Sequence, residues 1–501
     1  MGLMNKVADK MRKGLRSFLQ ITPASEFTVT INESVDHLSN CAKNRIWYWG
    51  KSKQLSSLYK QIDEPSTLFW KAIPTVGQEI RKIHIPLPAL IVDTLSNIVM
   101  DDYNGVEIND KNSTTHNERW QDIEQSNEFA EVLRECLIDI GIVGDGAFKI
   151  SYDKAISDLP IIEWYPAERV QFVYKRGRIR EVVFFTEYVH DYKKYYFVET
   201  YGYGYITYKL YNNEKTEIPI NYIPDTSWVD CKGYTHDNSY MWAVPVRLGK
   251  STYEGRGKGL IDDKCESFDS LDEAWSQWMD ALRAGRTKTR IPDELVPRNP
   301  DTGKPIAPNP FDNRFITIST SGAESANNEI KTETPVIQCD AYLQTYITAL
   351  DLCLQGVISP STLGIDVKKL DNAEAQREKE KTTLYTRKSY VELVEKVIPQ
   401  LVKAVLNADA EIHEQTILED GIKVSIKFGE YANPSFESQV ETVGKARQNG
   451  VMSIETSVDE LYGDSKDDDW KAQEVRRIKE EQGMTELDES SEIEDVTPVG
   501  F

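Results

Sequence analysis

The feature that most constrains this chain is the segment Asp371–Asn407, whose residues predict one helix of unusual length. At 1.5 Å per residue it would be roughly 55 Å long, which exceeds the helices of most globular domains. Asp371 can cap the first turn while Glu374 reaches back, and Pro399 predicts a kink near the end. The preceding residues, Val357–Leu370, are interpreted as a loop. A long helix directly behind a loop is more typical of a mechanical part than of a compact enzyme.

Two further helices precede this loop, and a proline-rich insert separates them. The helices are predicted at Asp262–Arg286 and Gln338–Gly356. Residues 287–335 hold one third of the 21 prolines, which excludes a continuous helix there. Short strands are expected at Arg314–Ser319 and Pro335–Gln338. The composition favours a small β module or an extended hook, and an excursion of this length usually docks a partner.

The first of these helices has two faces of different character. Apolar residues recur at spacings of three and four, which predicts one packing stripe. The stripe contains Phe268, Leu271, Trp275, Trp278, Met279 and Leu282. The opposite face carries Asp269, Asp272, Glu273, Gln277 and Asp280. We expect the stripe to pack against neighbours and the polar face to meet water.

The first half of the chain predicts mixed α+β structure. A helix should begin near Pro88, and another should cover Asn127–Gly141 with Asn127 as its N-cap. From Asp145 to Tyr208 the residues alternate and are rich in Val, Ile, Phe and Tyr, which predicts antiparallel strands. The step at Lys175–Gly177 is a predicted hairpin turn.

Beyond the long helix, a strand is predicted at Ile422–Phe428. Three helices should follow, at Pro434–Gln448, Ser453–Leu461 and Asp467–Gln482. The last residues, 483–501, are acidic and are expected to be disordered.

Charge and motifs exclude most enzyme classes. The net charge is −22, from 59 basic and 81 acidic residues, which argues against tight nucleic-acid binding by bulk charge. Gly249-Lys250-Ser251 resembles the end of a phosphate loop, but Pro245 and Val244 break the pattern. The glycine-rich stretch Gly255–Gly259 is interpreted as a flexible hinge. We therefore expect no catalytic residues, no metal site and no cofactor. The six scattered cysteines suggest reduced, mostly buried thiols, and no segment is suited to span a membrane.

The order and spacing of four segments resemble one known family. The segments are VPVRLGKSTYEGRGKGLIDDKCESFDSLDEAWSQWMDAL, ISPSTLGIDVKKLDNAEAQREKEKTTLYTRK, IKVSIKFGEYANPSFESQVETVGKARQNGVMSIETSVDELYG and RKIHIPLPALIVDTLSNIV. With the elements between them they cover roughly residues 40–482. The chain resembles the portal proteins of tailed bacteriophages, the rings that connect head and tail, and looks closest to the Gram-positive siphophage type.

The resemblance implies a ring-forming portal fold with wing, stem, clip and crown regions. The ring would have twelve copies at one capsid vertex of the virion, after assembly in the host cytoplasm. Double-stranded DNA would pass through it without sequence-specific contacts during packaging and ejection. Its partners would be the terminase large subunit, the head–tail adaptor, and the major capsid and scaffolding proteins. No membrane partner is implied.

The family's regions would map onto the chain in order. They are 1–255 for the wing, 256–286 and 335–356 for the stem helices, 287–334 for the clip, 357–370 for the tunnel loop, 371–430 for the long kinked helix and a wing strand, 431–482 for the crown helices, and 483–501 for the acidic tail.

The mapping also implies which residues meet DNA and which hold the ring together. The tunnel loop in the channel would include Ser359, Leu363, Asp366, Lys368 and Lys369. Its two lysines would touch the DNA backbone transiently, or else simply be solvated. A basic collar at the stem–clip junction would comprise Arg283, Arg286, Lys288 and Arg290. These bases could instead form salt bridges between subunits, to acids such as Asp272 or Asp280. The packing stripe of the stem would be Phe268, Leu271, Trp275, Met279 and Leu282.

Two other classes of protein stay open at this point. One is a different virion structural protein, such as a minor head protein or adaptor, although adaptors are generally much shorter. The other is a nucleotide-hydrolysing packaging enzyme, against which the broken phosphate loop argues.

Overall fold

The computed structural model describes most of the chain between residues 35 and 481. The described residues are 35–61, 67–73, 80–109, 113–227, 229, 233–237, 240–292, 298–303, 315–318, 331–365, 373–415, 422–428, 436–462 and 468–481. The chain divides into two compact units, Met1–Phe428 and Gly429–Phe501. The predicted acidic tail lies outside the described residues.

The first unit combines helices with antiparallel sheets, so its class is α+β as predicted. Its helices are α1 (Val35–Trp49), α2 (Ser52–Gln61), α3 (Leu87–Asp101), α4 (Ser113–Ser126), α5 (Phe129–Val143), α6 (Cys265–Ala284), α7 (Cys339–Leu354) and α8 (Ala373–Ile412). Its strands are β1 (Tyr103–Asn109), β2 (Asp145–Ser151), β3 (Ile161–Pro166), β4 (Val170–Lys175), β5 (Arg178–His190), β6 (Lys193–Gly202), β7 (Tyr205–Asn212), β8 (Glu217–Ile218), β9 (Tyr234–Thr235), β10 (Ala243–Arg247), β11 (Lys288–Pro292), β12 (Phe315–Ile318), β13 (Lys331–Glu333) and β14 (Lys423–Phe428).

The largest sheet is an antiparallel meander, β4-β5-β6-β7-β8, with β9 also paired to β7. Its first hairpin confirms the predicted turn, because Lys175 pairs with Arg178 around a two-residue loop. Both loop residues, Arg176 and Gly177, have positive φ, at 53° and 75°. This conformation follows the twist of the two strands, which is why two-residue hairpins favour it.

Two smaller sheets bring distant parts of the first unit together. Strand β2 lies between β10 and β3, antiparallel to both. Strand β14 pairs antiparallel with β1, so the residues behind the long helix return to the N-terminal part. The predicted strand near residue 422 is therefore confirmed and belongs to the same unit as the first helices.

The core of the first unit has two main hydrophobic clusters. One joins α4, α5 and the sheets to the C-terminal part of α8, where Tyr390, Leu401 and Val405 are fully buried. The other joins α1, α2 and α3 to the start of α6 and the end of α7. Helix α8 begins and ends close to the predicted positions and runs for 40 residues with Pro399 inside it. Of the predicted capping pair, Asp371 lies outside the described residues, and the side chain of Glu374 is not described either.

Three local predictions from the sequence are wrong. Asn127 does not cap α5, since the N-cap position is Glu128. The Asn127 side chain instead accepts from the Ile162 amide and donates to the Pro160 carbonyl, so it ties α5 to β3. Residues 334–338 form no strand; the strand before α7 is β13. The third prediction, the hinge at Gly255–Gly259, also fails because this stretch is tied to the core.

The glycine-rich stretch is held by a buried ion pair. Arg256 donates to Asp145 at 2.9 Å and to the Val170 carbonyl at 2.9 Å. The Gly257 amide donates to the same Asp145 carboxylate at 2.7 Å. A side chain at Gly257 would overlap the backbone of Gly144, so the glycine is required for this close approach. The segment is thus a structural tie between β2 and the start of α6.

The second unit contains three helices among its described residues, as predicted. They are α9 (Phe436–Gln448), α10 (Ile454–Tyr462) and α11 (Asp468–Glu481). Tyr462 and Trp470 meet edge to face at 4.8 Å, and Lys479 bonds Glu455, so α10 and α11 pack on each other.

Two findings concern the whole described chain. Five cysteines are free; Cys41, Cys136, Cys265 and Cys353 are buried, Cys339 is exposed, and Cys231 lies outside the described residues. No helix among the described residues is both long and apolar enough to cross a bilayer.

Candidate functional site

Helices α6 and α7 form a pair joined by aromatic contacts. The ring of Trp275 lies 5.5 Å from that of Tyr346, and Trp278 stacks on Tyr342 with an interplanar angle of 9°. Trp275 and Trp278 also meet edge to face. These large flat side chains recur at helical spacing on both helices, so they hold the pair together along its length.

The base of this pair is built on buried acids. Asp269 accepts hydrogen bonds from the amides of Phe69 and Trp70, at 2.8 and 3.0 Å. Asp272 accepts from the Trp70 indole at 3.0 Å, the Ile85 amide at 2.9 Å and His84 Nδ1 at 2.7 Å. Burial raises the pKa of both carboxyls, while these donors oppose the rise.

These contacts correct the predicted polar face of α6. Asp269 and Asp272 were expected to meet water, but their side chains are buried in a single chain. The ion pair suggested between Asp272 and an arginine of another subunit therefore has no exposed carboxylate to use. A usable signal was present, because Asp269, Asp272 and Ser276 are spaced by three and four residues and form a second buried stripe. Ser276 accepts from the Ile83 amide.

The apolar stripe of α6 becomes more exposed along the helix. Phe268 and Leu271 are 1% exposed, Trp275 and Met279 are partly buried, and Leu282 is 40% exposed. Only the first part of the predicted stripe therefore packs into the core of its own chain. The remaining part is available to another molecule or to another copy.

Helix α7 is exposed over most of its surface. Of its 16 residues, only Ala349, Leu350, Cys353 and Leu354 are buried, all near its C-terminal end. Leu343 and Leu352 are exposed, although the helix has no Lys or Arg. The hydroxyls of Thr345 and Thr348 donate to carbonyls one turn earlier, so these two side chains satisfy their donors within the helix.

A groove of about 570 Å³ runs beside the pair, between α6 and the start of α7. Small residues line much of it, including Ala274, Ala281, Ala284 and Ala341. Val336 lines the same groove and is 94% exposed. Small residues let a neighbouring helix or side chain approach closely. The groove and the exposed leucines give the outer half of the pair the character of an unfilled interface.

A small sheet closes the distal end of the pair, in agreement with the predicted β module. Strand β11 lies between β12, to which it is parallel, and β13, to which it is antiparallel. The hydroxyls of Thr287 and Thr334 meet at 3.1 Å where the chain leaves and rejoins the helices. The sheet therefore forms a separate tip on the helix pair.

The four bases of the predicted collar lie where α6 ends and β11 begins. Arg283 is in the last turn of α6 and partly buried, and Arg286 is exposed just after it. Lys288 and Arg290 occupy alternate positions of β11, which places them on one face of the strand. The side chains of these last two are outside the described set, and the collar stays a prediction.

The first part of the predicted tunnel loop is docked on α8. The Ser359 amide donates to the Thr383 hydroxyl at 2.8 Å, and the Thr386 hydroxyl donates to the Val357 carbonyl at 2.6 Å. Ser359 is buried, so it cannot meet DNA directly, and Leu363 is partly buried against the second core cluster. The two threonines, Thr383 and Thr386, lie one turn apart and hold the loop on α8. The sequence did not predict these contacts.

The other loop residues named for DNA contact lie outside the described residues. They are Asp366, Lys368 and Lys369. The role of the two lysines stays a prediction.

The C-terminal part of α8 is fixed to the rest of the unit by ion pairs. Arg387 bonds Asp102 at 2.6 Å, and Arg119 bonds both oxygens of Asp409 at 2.7 Å. Tyr240 donates to Glu411. These contacts are spread from residue 387 to residue 411. They therefore join α8, and the loop that is hydrogen-bonded to it, to the core of the first unit.

Two findings concern the titratable side chains of the described residues. Among them, no cluster of three His, Cys, Asp or Glu residues is suited to hold a metal ion. The buried group of Lys149, Glu163, Glu199 and Tyr165 lies between strands of neighbouring sheets. Its members satisfy one another, which suits a structural tie.

Comparisons with known proteins give only distant matches. No protein-family model and no curated protein matches the chain. Among solved structures, it is similar to a chain from the neck of an empty gene transfer agent particle computed with C6 symmetry: identity is 10%, coverage is 72% of this chain and 86% of that chain, and the TM-score is 0.33. A chain from the virion of a native gene transfer agent particle gives 10% identity, coverage of 75% and 92%, and a TM-score of 0.34. Similarity this low carries no argument about function, which must come from the chain itself.

Proposed function

We propose that this chain is a structural protein of a phage-like virion, and specifically a portal subunit. Twelve copies would form a ring at one vertex of the capsid and surround a channel for double-stranded DNA. The chain would act without catalysis, as a conduit during packaging and ejection. It would also be a docking platform for the terminase and the head–tail adaptor.

The observation that carries this proposal is the state of the α6–α7 pair. Its base is fixed by buried acids, whereas its outer half exposes Leu282 and Leu343, and an alanine-lined groove runs between α6 and the start of α7. Contiguous exposed apolar surface on a folded chain marks a site of association. An exposed apolar surface and a separate groove on one subunit suit head-to-tail association of identical copies, which forms a ring when the rotation between copies closes.

The charge of the chain supports the DNA part of the proposal. A net charge of −22, repeated in every subunit, would surround a channel with negative potential. DNA would then slide past without forming many contacts that must later be broken. We assign the light contacts that remain to Lys368 and Lys369, in the connection between the docked loop and α8.

The other regions take roles that follow from the same assignment. Residues 256–286 and 335–356 would be the stem, and the three-stranded sheet within 287–334 would be the clip that meets the terminase and adaptor. Residues 431–482 would be the crown. The N-terminal residues and 371–430 would form the wing.

The test is electron microscopy of the purified protein together with its mass in solution. We expect closed rings with a central hole. Leu343→Glu should abolish them, because it places a charge in the exposed apolar surface of α7. The matched control is Val189→Glu, which adds the same charge at an exposed valine on the β5–β6 hairpin and should leave rings intact.

Three outcomes would count against the proposal. Monomers under all conditions, including high concentration and the presence of scaffolding protein, would remove the ring. Stimulation of ATP hydrolysis by DNA with this chain alone would point to a packaging enzyme. Rings that contain no continuous hole would favour another virion structural protein.

A further inference from the structure

The first unit also contains a cleft that is separate from the α6–α7 pair. The segment from Gly249 to Arg256 and one side of α8 enclose an open cleft of about 710 Å³. Three exposed cationic side chains line it, Arg247, Lys250 and Lys396, against one exposed carboxylate, Glu254. A cationic cleft is unexpected on a chain of such negative charge.

These three bases have no carboxylate within ion-pair distance in the described part of the chain. Nearby lysines differ, since Lys258 bonds Asp263 and Lys388 lies 3.7 Å from Glu392. The many acids of the chain are therefore not placed to neutralise this cleft. Its positive potential is left for a ligand from outside.

One of the three cations is held in place by hydrogen bonds. The Arg247 guanidinium donates to the Tyr174 hydroxyl at 2.8 Å and to the Gly255 carbonyl at 3.2 Å, which fixes its position. Behind it, the buried pair of Arg256 and Asp145 ties the segment to β2. Binding at a wall of this kind costs little ordering of the protein.

We propose that this cleft binds a phosphate-bearing ligand. A phosphate group or a run of phosphates carries the charge density that three converging cations suit, and Arg in a fixed position can donate two hydrogen bonds to it. The Thr252 hydroxyl lines the same cleft and can add a further donor. The site differs from a nucleotide-binding phosphate loop, because no helix starts behind Gly249-Lys250-Ser251; α6 begins only at Cys265.

The same chemistry could come from a small polyphosphate or from the backbone of nucleic acid. Two probes separate these sources: inorganic tripolyphosphate by calorimetry, and a fluorescent DNA duplex by anisotropy, both at low salt. The double variant Lys250→Glu/Lys396→Glu should weaken binding of the true ligand class by at least about tenfold, since each reversal removes an attraction and adds a repulsion. Lys154→Glu, an exposed lysine outside the cleft, should change nothing.

A variant of opposite sign makes the test sharper. Glu254→Gln removes the single carboxylate of the cleft and should strengthen binding by about threefold. The four substituted side chains, Lys250, Lys396, Lys154 and Glu254, are all exposed. The variants should therefore unfold at the same temperature as the unchanged protein, which would exclude misfolding as the cause of a change in binding.

Each result decides for or against the site. If the double variant loses only tripolyphosphate binding, the ligand of the cleft is a small phosphate compound. If it loses only duplex binding, the ligand is the backbone of nucleic acid. No binding of either probe by the unchanged protein, or equal binding by the double variant, overturns the proposal. Displacement of both probes by polyglutamate at equal concentration also overturns it, because the cleft would then accept acidic peptides. The assay works in any state of assembly, so its result is separate from that of the ring.

Discussion

At the base of the α6–α7 pair, acidic side chains are buried and accept hydrogen bonds, whereas in its outer half apolar side chains are exposed. Asp269 and Asp272 together accept five hydrogen bonds from residues 69–85. In the outer half, Leu282 and Leu343 are 40% and 41% exposed. This is the reverse of the usual distribution of polar and apolar groups in a monomer.

The contrast teaches that the two halves of the pair serve different purposes. The base orients the pair on its own chain, because directional hydrogen bonds define a position more narrowly than apolar packing does. Under the proposed function, the outer half would keep its apolar surface for association with another copy. A single chain would then be complete at the base and incomplete in the outer half, as expected of a ring subunit.

The largest expected effect is at the base. Asp272→Ala would leave the Trp70 indole, His84 Nδ1 and the Ile85 amide without their acceptor in a buried place. We expect the free energy of unfolding to fall by about 4 kcal/mol, measured by chemical denaturation. Asp280→Ala, on the same helix at a partly exposed position, should change it by less than about 0.5 kcal/mol. Equal losses in the two variants would remove the distinction between base and surface.

The next effect lies at the boundary between the two halves. Trp275→Asp would remove the contacts with Trp278 and Tyr346 and place a charge in the stripe. We expect a loss of about 3 kcal/mol in unfolding and no rings in electron microscopy. Trp275→Phe should keep the rings. Normal assembly of Trp275→Asp would show that the stripe does not take part in association.

A smaller effect is expected where the loop is clipped to α8. Thr383→Val keeps the shape but removes the acceptor of the Ser359 amide. The loss in unfolding should be about 1–2 kcal/mol, with faster hydrogen exchange confined to residues 357–365. Thr382→Val, at the neighbouring position, serves as the control. Unchanged hydrogen exchange at Ser359 in Thr383→Val would mean that the hydrogen bond from Thr383 is not needed to hold the loop on α8.

The smallest effect on stability, but a large one on function, is expected for the lysines of the loop. Lys368→Glu/Lys369→Glu should leave unfolding and ring assembly unchanged while it impairs DNA packaging, measured as the amount of protected DNA per particle. The control Lys154→Glu/Lys175→Glu makes the same charge change on two exposed lysines elsewhere in the first unit. Unchanged phage yield from the loop variant would remove these lysines from the mechanism.

Much of the secondary structure could be predicted because it depends on local periodicity. The spacing of apolar residues in 262–286 predicts α6, and the alternation in 145–208 predicts the large sheet. The long helix and the three C-terminal helices follow from the same reasoning. One of the errors falls where a polar side chain has two possible partners. Asn127 could cap α5 or bond to β3, and the residues around it in sequence do not decide between them.

The candidate site was only partly accessible to such reasoning. Ser359 was assigned to a channel loop, but Thr383 lies 24 residues later and its hydroxyl buries that segment against α8. Likewise Arg256 and Gly257, which suggest a hinge in sequence, meet Asp145 from more than 100 residues earlier. Contacts of this range cannot be inferred from spacing, because no local pattern specifies which distant groups become neighbours.

The sequence by itself thus determined the elements of this protein: the long α8, the striped α6, the β module between α6 and α7, and the strongly acidic charge. Only the tertiary structure decided which faces of those elements are occupied. It buries Asp269 and Asp272, leaves Leu282 and Leu343 exposed, and groups three cations without a carboxylate partner among the described residues in one cleft. The physical reason is that periodicity fixes the conformation of a segment, whereas burial depends on what packs against it.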